Sequence, residues 1–167
     1  MRRTSFTDMS CPIARTLEQV GEWWTLLIVR EAFWGTRRFG EFQDHLGIAP
    51  NVLTQRLQDL VRHGILEVTA TTDNGRALDY RLTDKGRDLL PIVVALAQWG
   101  DQHAAAPEGS PVRIVERKTG HDIAPLVLRS RTGRKLGARD VTVVEGPGAG
   151  PAEQGRFERL RARQAKR

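Results

Sequence analysis

Apolar positions in the first part of the chain recur every three or four residues, the period of an amphipathic helix. Ile13, Leu17 and Val20 form one such stripe, ending at Gly21. Ser10-Cys11-Pro12 precedes it, with a small polar cap and a proline suited to the first helical turn. Over residues 22–33 the pattern changes. Trp23, Trp24, Leu26, Leu27, Ile28 and Val29 predict a helix apolar nearly all round, hence one central to the core. Trp34-Gly35-Thr36 ends it. A short helix over Phe39–Leu46 follows, closed by Gly47. Pro50 opens the next, reaching about His63, with Leu53, Leu57 and Leu60 on one face and Val61 beside them.

After position 65 the period shortens. Residues 65–72 and 77–82 read as two strands rich in Val and Thr, joined by the turn Asp73-Asn74-Gly75. Two short helices about a glycine turn, then a hairpin, predict a winged helix-turn-helix. That geometry presents the second helix to a DNA major groove and the hairpin to the flanking backbone or minor groove. At 100° per residue, Asn51, Gln55, Gln58 and Arg62 point away from the leucine face, with Thr54 at the edge. Amides can pair with adenine, a threonine can touch a thymine methyl, and a guanidinium suits guanine or phosphate. The expected DNA-contacting set is Arg38, Pro50, Asn51, Thr54, Gln55, Arg56, Gln58, Arg62 and, at the wing tip, Arg76. The bland alternative is a solvated helix face.

Thr83-Asp84 starts a helical stretch expected to run to about His103, kinked at Pro91. Leu89, Leu90, Ile92, Val93, Val94, Leu96, Ala97 and Trp99 cover more than one of its faces, and the surplus calls for a second subunit. Residues 104–111 read as a linker. Beyond it, residues 112–116, 126–128 and 141–144 read as short strands. Arg117-Lys118-Thr119-Gly120 and Ser130-Arg131-Thr132-Gly133 form a weak repeat, each a turn after a strand. The last residues, from about 153, form a basic segment, helical or disordered. The expected fold class is α+β, mainly α. A winged helix-turn-helix domain (11–106) stands between an N-terminal arm (1–10) and a small β-rich extension (107–150) with a basic tail (151–167).

Composition changes this picture in one respect. The net charge is +6 over 167 residues. Residues 1–106 carry 12 Lys/Arg against 13 Asp/Glu, net −1, and residues 107–167 carry 14 against 7, net +7. The winged region is near neutral, so a DNA-binding argument rests on where individual arginines sit. No apolar run is long enough to span a membrane, no signal peptide opens the chain, and one cysteine excludes an internal disulfide and a Cys-cluster zinc site. A reducing cytoplasm is the expected compartment, with no membrane partner.

Several motifs stand in one order: Cys11-Pro12, Trp24-Thr25-Leu26-Leu27-Ile28, Arg38-Phe39, Leu53-Thr54-Gln55-Arg56-Leu57, Gly64-Ile65-Leu66, Tyr80-Arg81-Leu82-Thr83-Asp84-Lys85-Gly86 and Trp99-Gly100. Over about residues 10–103 the chain resembles the HxlR family of bacterial winged-helix transcription regulators. The resemblance implies double-stranded DNA as partner, a homodimer formed through the terminal helices, and operator binding, here expected as repression at a pseudo-palindrome. Some relatives carry an extension like a small zinc ribbon. This one is similar with its cysteines replaced, Thr119 and Thr132 standing where a Cys precedes Gly, so no metal or other cofactor is expected. Ala49 stands where the family commonly has a capping Ser.

Two switches are open. Cys11 starts a helix, where the dipole favours thiolate, and Arg15 lies one turn on. The resemblance implies that a cysteine here can sense oxidants or electrophiles; otherwise it is a small residue opening a helix. The second switch is a small-molecule effector in an apolar pocket at the dimer interface, lined by Trp23, Trp24, Phe33, Trp34 and Trp99, residues that equally suit a plain core. The four histidines show no metal-ligand spacing. No phosphate loop, nucleophile elbow or Cys-His pair points to an enzyme. The remaining alternative is a winged helix used only for protein contacts.

Overall fold

Each apolar stripe among the first helices forms the helix it predicts. In the computed structural model, which describes residues 5–70, 78–104 and 107–164, these are α1 (Pro12–Val20), α2 (Trp23–Trp34), α3 (Phe39–Leu46) and α4 (Pro50–Arg62). The hairpin follows as β1 (Leu66–Ala70) antiparallel to β2 (Leu78–Leu82), in a register pairing Leu66 with Leu82 and Ala70 with Leu78. The expected turn Asp73-Asn74-Gly75 and Arg76 lie outside the described residues. The loop before α3 adds a third edge to the hairpin: the Tyr80 N–H donates to the Arg37 carbonyl at 2.8 Å, and Arg38 bridges Asp79.

The core sits where α2, α3, α4 and the hairpin meet. Ile28, Val29, Phe42, Leu53, Leu57, Leu60, Ile65 and Leu66 are closed off from solvent. Phe42 meets the Tyr80 ring edge-on, with centroids 6.5 Å apart. The helix α2 is central but not buried all round. Ile28 and Val29 are buried, whereas Trp23 is 90% exposed, and Leu27 and Trp34 are also exposed. Gly47 ends α3 at φ 60°, and its N–H donates to the Gln43 carbonyl, so the chain turns sharply into α4.

The stretch after the hairpin differs from the single kinked helix expected. It breaks into α5 (Asp84–Arg87) and α6 (Leu90–His103), with Pro91 in the first turn of α6. Proline has no N–H to donate and its ring crowds the carbonyl four residues back, so the helix breaks and restarts with Pro91 in its first turn. The short α5 is held locally. The Thr83 hydroxyl accepts from the Gly86 N–H and donates to the Gly64 carbonyl at 2.7 Å, while Lys85 Nζ reaches the His63 carbonyl and Gln19.

Past the linker the extension holds less strand than expected. Residues 112–116 contribute only a bridge from Val115 to Asp122. Regular pairing is confined to β3 (Leu128–Arg129) and β4 (Lys135–Leu136). Residues 141–144 form no strand; Val143 and Val144 stay exposed, with no sheet surface to pack on. Both repeat turns form, with Gly120 and Gly133 at positive φ. The Thr119 hydroxyl bonds Glu116, and that of Thr132 bonds Ser130, so the two threonines hold their turns through side-chain hydrogen bonds. Gln98 of α6 fastens the extension: its Oε1 accepts from the Leu126 N–H at 2.8 Å and its Nε2 donates to the Ala124 carbonyl. The basic tail is helical as α7 (Pro151–Gln164). Among the described residues no helix is long and apolar enough to cross a membrane.

Gly86 is closely packed between the hairpin and the loop before it. A Cβ there would run into the Ile65 carbonyl and the Leu82 side chain. Gly86→Ala is expected to cost about 1–3 kcal/mol in denaturant unfolding, the range for overpacking. Gly100→Ala, which meets nothing within 4 Å, is expected to cost nothing.

Candidate nucleic-acid interface

The exposed face of α4 follows from its buried one. With Leu53, Leu57 and Leu60 fixed inward, Asn51, Thr54, Gln55, Gln58 and Arg62 are all exposed. Pro50 stands at the first turn, also exposed, behind Ala49, which makes no side-chain cap. The Thr54 hydroxyl donates back to the Pro50 carbonyl at 2.8 Å. That satisfies the polar end of Thr54 within the helix.

One carboxylate organises the charged side of this face. Asp59 Oδ1 accepts from Gln55 Nε2 at 3.1 Å and from Arg62 Nη2 at 2.7 Å, and Asp59 Oδ2 lies 3.4 Å from Arg56 Nη1. Sequence reasoning missed this role of Asp59. The signal was present: four residues after Gln55 and three before Arg62 place all three on one ridge. Arg56 is set apart from the other expected contacts. Its side chain is only 19% exposed and also lies 3.8 Å from Glu22, so it ties α4 to the start of α2. Arg38 is exposed at the start of α3, with Nε 3.8 Å from Asp79 Oδ1. Arg76 lies outside the described residues.

Helices α2 and α3 are locked together by a polar cluster. Glu31, 4% exposed, receives Arg30 at 2.8 Å, the Thr36 hydroxyl at 3.2 Å and lies 3.1 Å from His45 Nδ1. A buried carboxylate needs such partners, because an unpaired charge there is costly. At the start of α3, Glu41 Oε2 accepts from the backbone N–H groups of Arg37 and Arg38, both at 3.0 Å. Those bonds hold the Glu41 carboxyl below its ordinary value of 4.5, Arg37 first and Arg38 second.

The residues expected to act as switches fall elsewhere. Cys11 is exposed and caps α1 without a side-chain hydrogen bond. The Arg15 guanidinium turns to the Met9 carbonyl at 3.0 Å. The five aromatic residues do not converge within one chain. Trp24 and Phe33 pack against the core, Trp23 stands out in solvent, Arg30 stacks over the Trp34 ring, and Trp99 meets His103.

Comparison with known proteins agrees with this geometry. The family model described as HxlR-like helix-turn-helix matches residues 19–108. An uncharacterised helix-turn-helix-type transcriptional regulator of Mycobacterium tuberculosis, Rv3095, is 42% identical over 136 residues, 81% of this chain and 86% of that protein. The crystal structure of PA1607, described as a candidate transcription factor, superposes with a TM-score of 0.80 at 46% identity, covering 86% of this chain and all of that one. The oxidised form of the redox regulator HypR superposes with a TM-score of 0.54 at 30% identity, covering 57% of this chain and all of that one. The first two likenesses reach well past the family match, so they take in part of the extension.

The Glu41 anchor gives a pH-dependent expectation. A carboxyl with a lowered folded pKa stabilises the fold above its unfolded value and loses that contribution as pH falls through the folded value. Glu41→Ala is therefore expected to lower the melting temperature at pH 7. The difference from wild type should shrink as pH drops below 4.5 and vanish once the wild-type carboxyl is protonated.

Proposed function

This chain belongs to the HxlR-like helix-turn-helix family of transcriptional regulators, and from that premise we propose that it is a sequence-specific DNA-binding repressor acting as a homodimer on a pseudo-palindromic operator. The observation that carries the reading is the exposed face of α4. Neutral hydrogen-bonding side chains, Asn51, Thr54, Gln55 and Gln58, face outward beside a hairpin on a near-neutral domain. Such groups read base edges, whereas phosphate attraction alone would use basic ones. Asp59 holds Gln55 and Arg62 in place on the free protein, and base or phosphate contact exchanges those bonds for new ones. Arg38, Pro50, Arg62 and Arg76 complete the proposed contact set. Arg56 serves it by fixing the helix.

Dimerisation is proposed through α1 and α6. Ile13 is 70% exposed, Leu96 52% and Trp99 62%, large apolar surfaces that a second copy would cover. Two recognition helices would then meet half-sites about one DNA turn, 34–36 Å, apart. Cys11 caps α1 beside that surface, and the redox-regulator likeness supports oxidation of its thiol as a switch. With no second cysteine in the chain, the oxidised product is an intersubunit or mixed disulfide or a sulfur acid.

Two measurements test the proposal. Binding-site selection followed by gel shift is expected to yield a palindromic site, and Gln55→Ala should weaken that site by about 1–3 kcal/mol with little change on random DNA. Equal loss on both, or no selectable site, would leave only the protein-contact reading. Mild oxidant is expected to weaken operator binding of wild type reversibly, and of Cys11→Ser not at all. An identical response of the two would remove the thiol as the switch.

A further inference from the structure

Away from α4, four arginines line one cavity of about 390 Å3: Arg37, Arg81, Arg87 and Arg117. They come from distant parts of the chain, namely the loop before α3, the wing strand β2, the short α5 and the first repeat turn of the extension. Among the described residues, no acidic one lines the cavity. Two of the guanidinium groups are compensated from outside it. Arg81 lies 3.3 Å from Asp79, and Arg87 holds Asp84 at 2.7 Å while bonding the Leu82 carbonyl. Arg37 and Arg117 have no ion pair among the described residues. Like charges gathered around one concavity repel, and a bound anion relieves that repulsion.

The rest of the wall is apolar and aromatic. Phe33 and Tyr80 both line the cavity, each half-buried. The Tyr80 hydroxyl makes no hydrogen bond among the described residues. Burial holds its pKa above the ordinary value, so at neutral pH it keeps its proton and can donate.

We propose that this cleft binds a small anion with an aromatic or apolar body, an aryl carboxylate or aryl phosphate. Arg37, Arg117 and the Tyr80 hydroxyl take the charged group, and the Phe33 and Tyr80 rings take the body. The volume lies within the ordinary range for small-molecule sites, roughly 300–1,000 Å3. DNA phosphate fits the cleft less well. It is a concavity lined by no residue of α4, and its aromatic wall gains nothing from a sugar-phosphate backbone. Three of its residues, Tyr80, Arg81 and Leu82, belong to the wing strand β2, so an occupant bears directly on the hairpin.

The site is tested without DNA, so its failure is separate from failure of the regulator reading. Phenyl phosphate and benzoate are titrated calorimetrically into the full chain, beside inorganic phosphate and the neutral benzyl alcohol. One aryl anion is expected to bind once per chain with Kd below about 1 mM, at least about tenfold tighter than either control. Arg117→Gln, a change in an exposed turn, should weaken that binding by about tenfold or more with an unchanged melting temperature. Tyr80→Phe should weaken it less. No saturation by either aryl anion would overturn the proposal, as would equal binding of inorganic phosphate or unaltered binding by Arg117→Gln. Where neither aryl anion binds, a separate DNA titration in which Arg117→Gln flattens the salt dependence would identify the arginines as a phosphate contact instead.

Discussion

The buried face of α4 is the constraint on which the other features rest. Leu53, Leu57 and Leu60 are closed off against Ile28, Val29 and Phe42. Each such side chain contributes about 1.5–3 kcal/mol on burial. Turning the helix by one residue, 100°, would lift leucines into water and push an amide or a guanidinium inward. The helix is therefore fixed in rotation as well as in place, and the face carrying Asn51, Gln55, Gln58 and Arg62 is outward by exclusion. Position is fixed from behind by α2, which meets α3, α4, α6 and the hairpin.

Around that hydrophobic lock the charges are arranged in small closed groups. Asp59 gathers Gln55, Arg56 and Arg62, Glu31 gathers Arg30, Thr36 and His45, and Glu41 takes the two backbone N–H groups at the start of α3. These groups differ in what they do. The Glu31 cluster is buried and joins two helices; the Asp59 cluster lies at the outward face, where Gln55 and Arg62 are exposed while Arg56 is half-buried. A winged region of near-neutral net charge thus carries neutral hydrogen-bonding groups and paired arginines on its outward face.

The extension is attached by specific polar contacts rather than by a second core. Gln98 pairs with its backbone as a strand neighbour would, and Arg117 reaches the cavity beside β2. Thr119 and Thr132 close their turns by hydrogen bonds to Glu116 and Ser130, so each turn is held by its own side chains. The likenesses to Rv3095 and PA1607 extend into this region, which marks it as a shared part of a subset of the family.

The winged helix-turn-helix is legible in the amino-acid pattern alone. Helical periods of apolar residues, the glycine at 47, the prolines at 12 and 50 and the alternating strands are local signals, and local signals survive in any packing. The sequence also determined which face of α4 is polar, because that face is the complement of a stripe of leucines. What it left open depends on partners distant in the chain. The helix breaks between α5 and α6 instead of kinking, since Thr83 and Lys85 hold α5 through the carbonyls of Gly64 and His63. The segment 112–116 pairs only through the single bridge from Val115 to Asp122 and 141–144 forms no strand, because a strand is made by its neighbour more than by its own residues. Arg37, Arg81, Arg87 and Arg117 carry no shared local signal, since the first and last stand 80 positions apart, and only the tertiary structure brings them to one cavity.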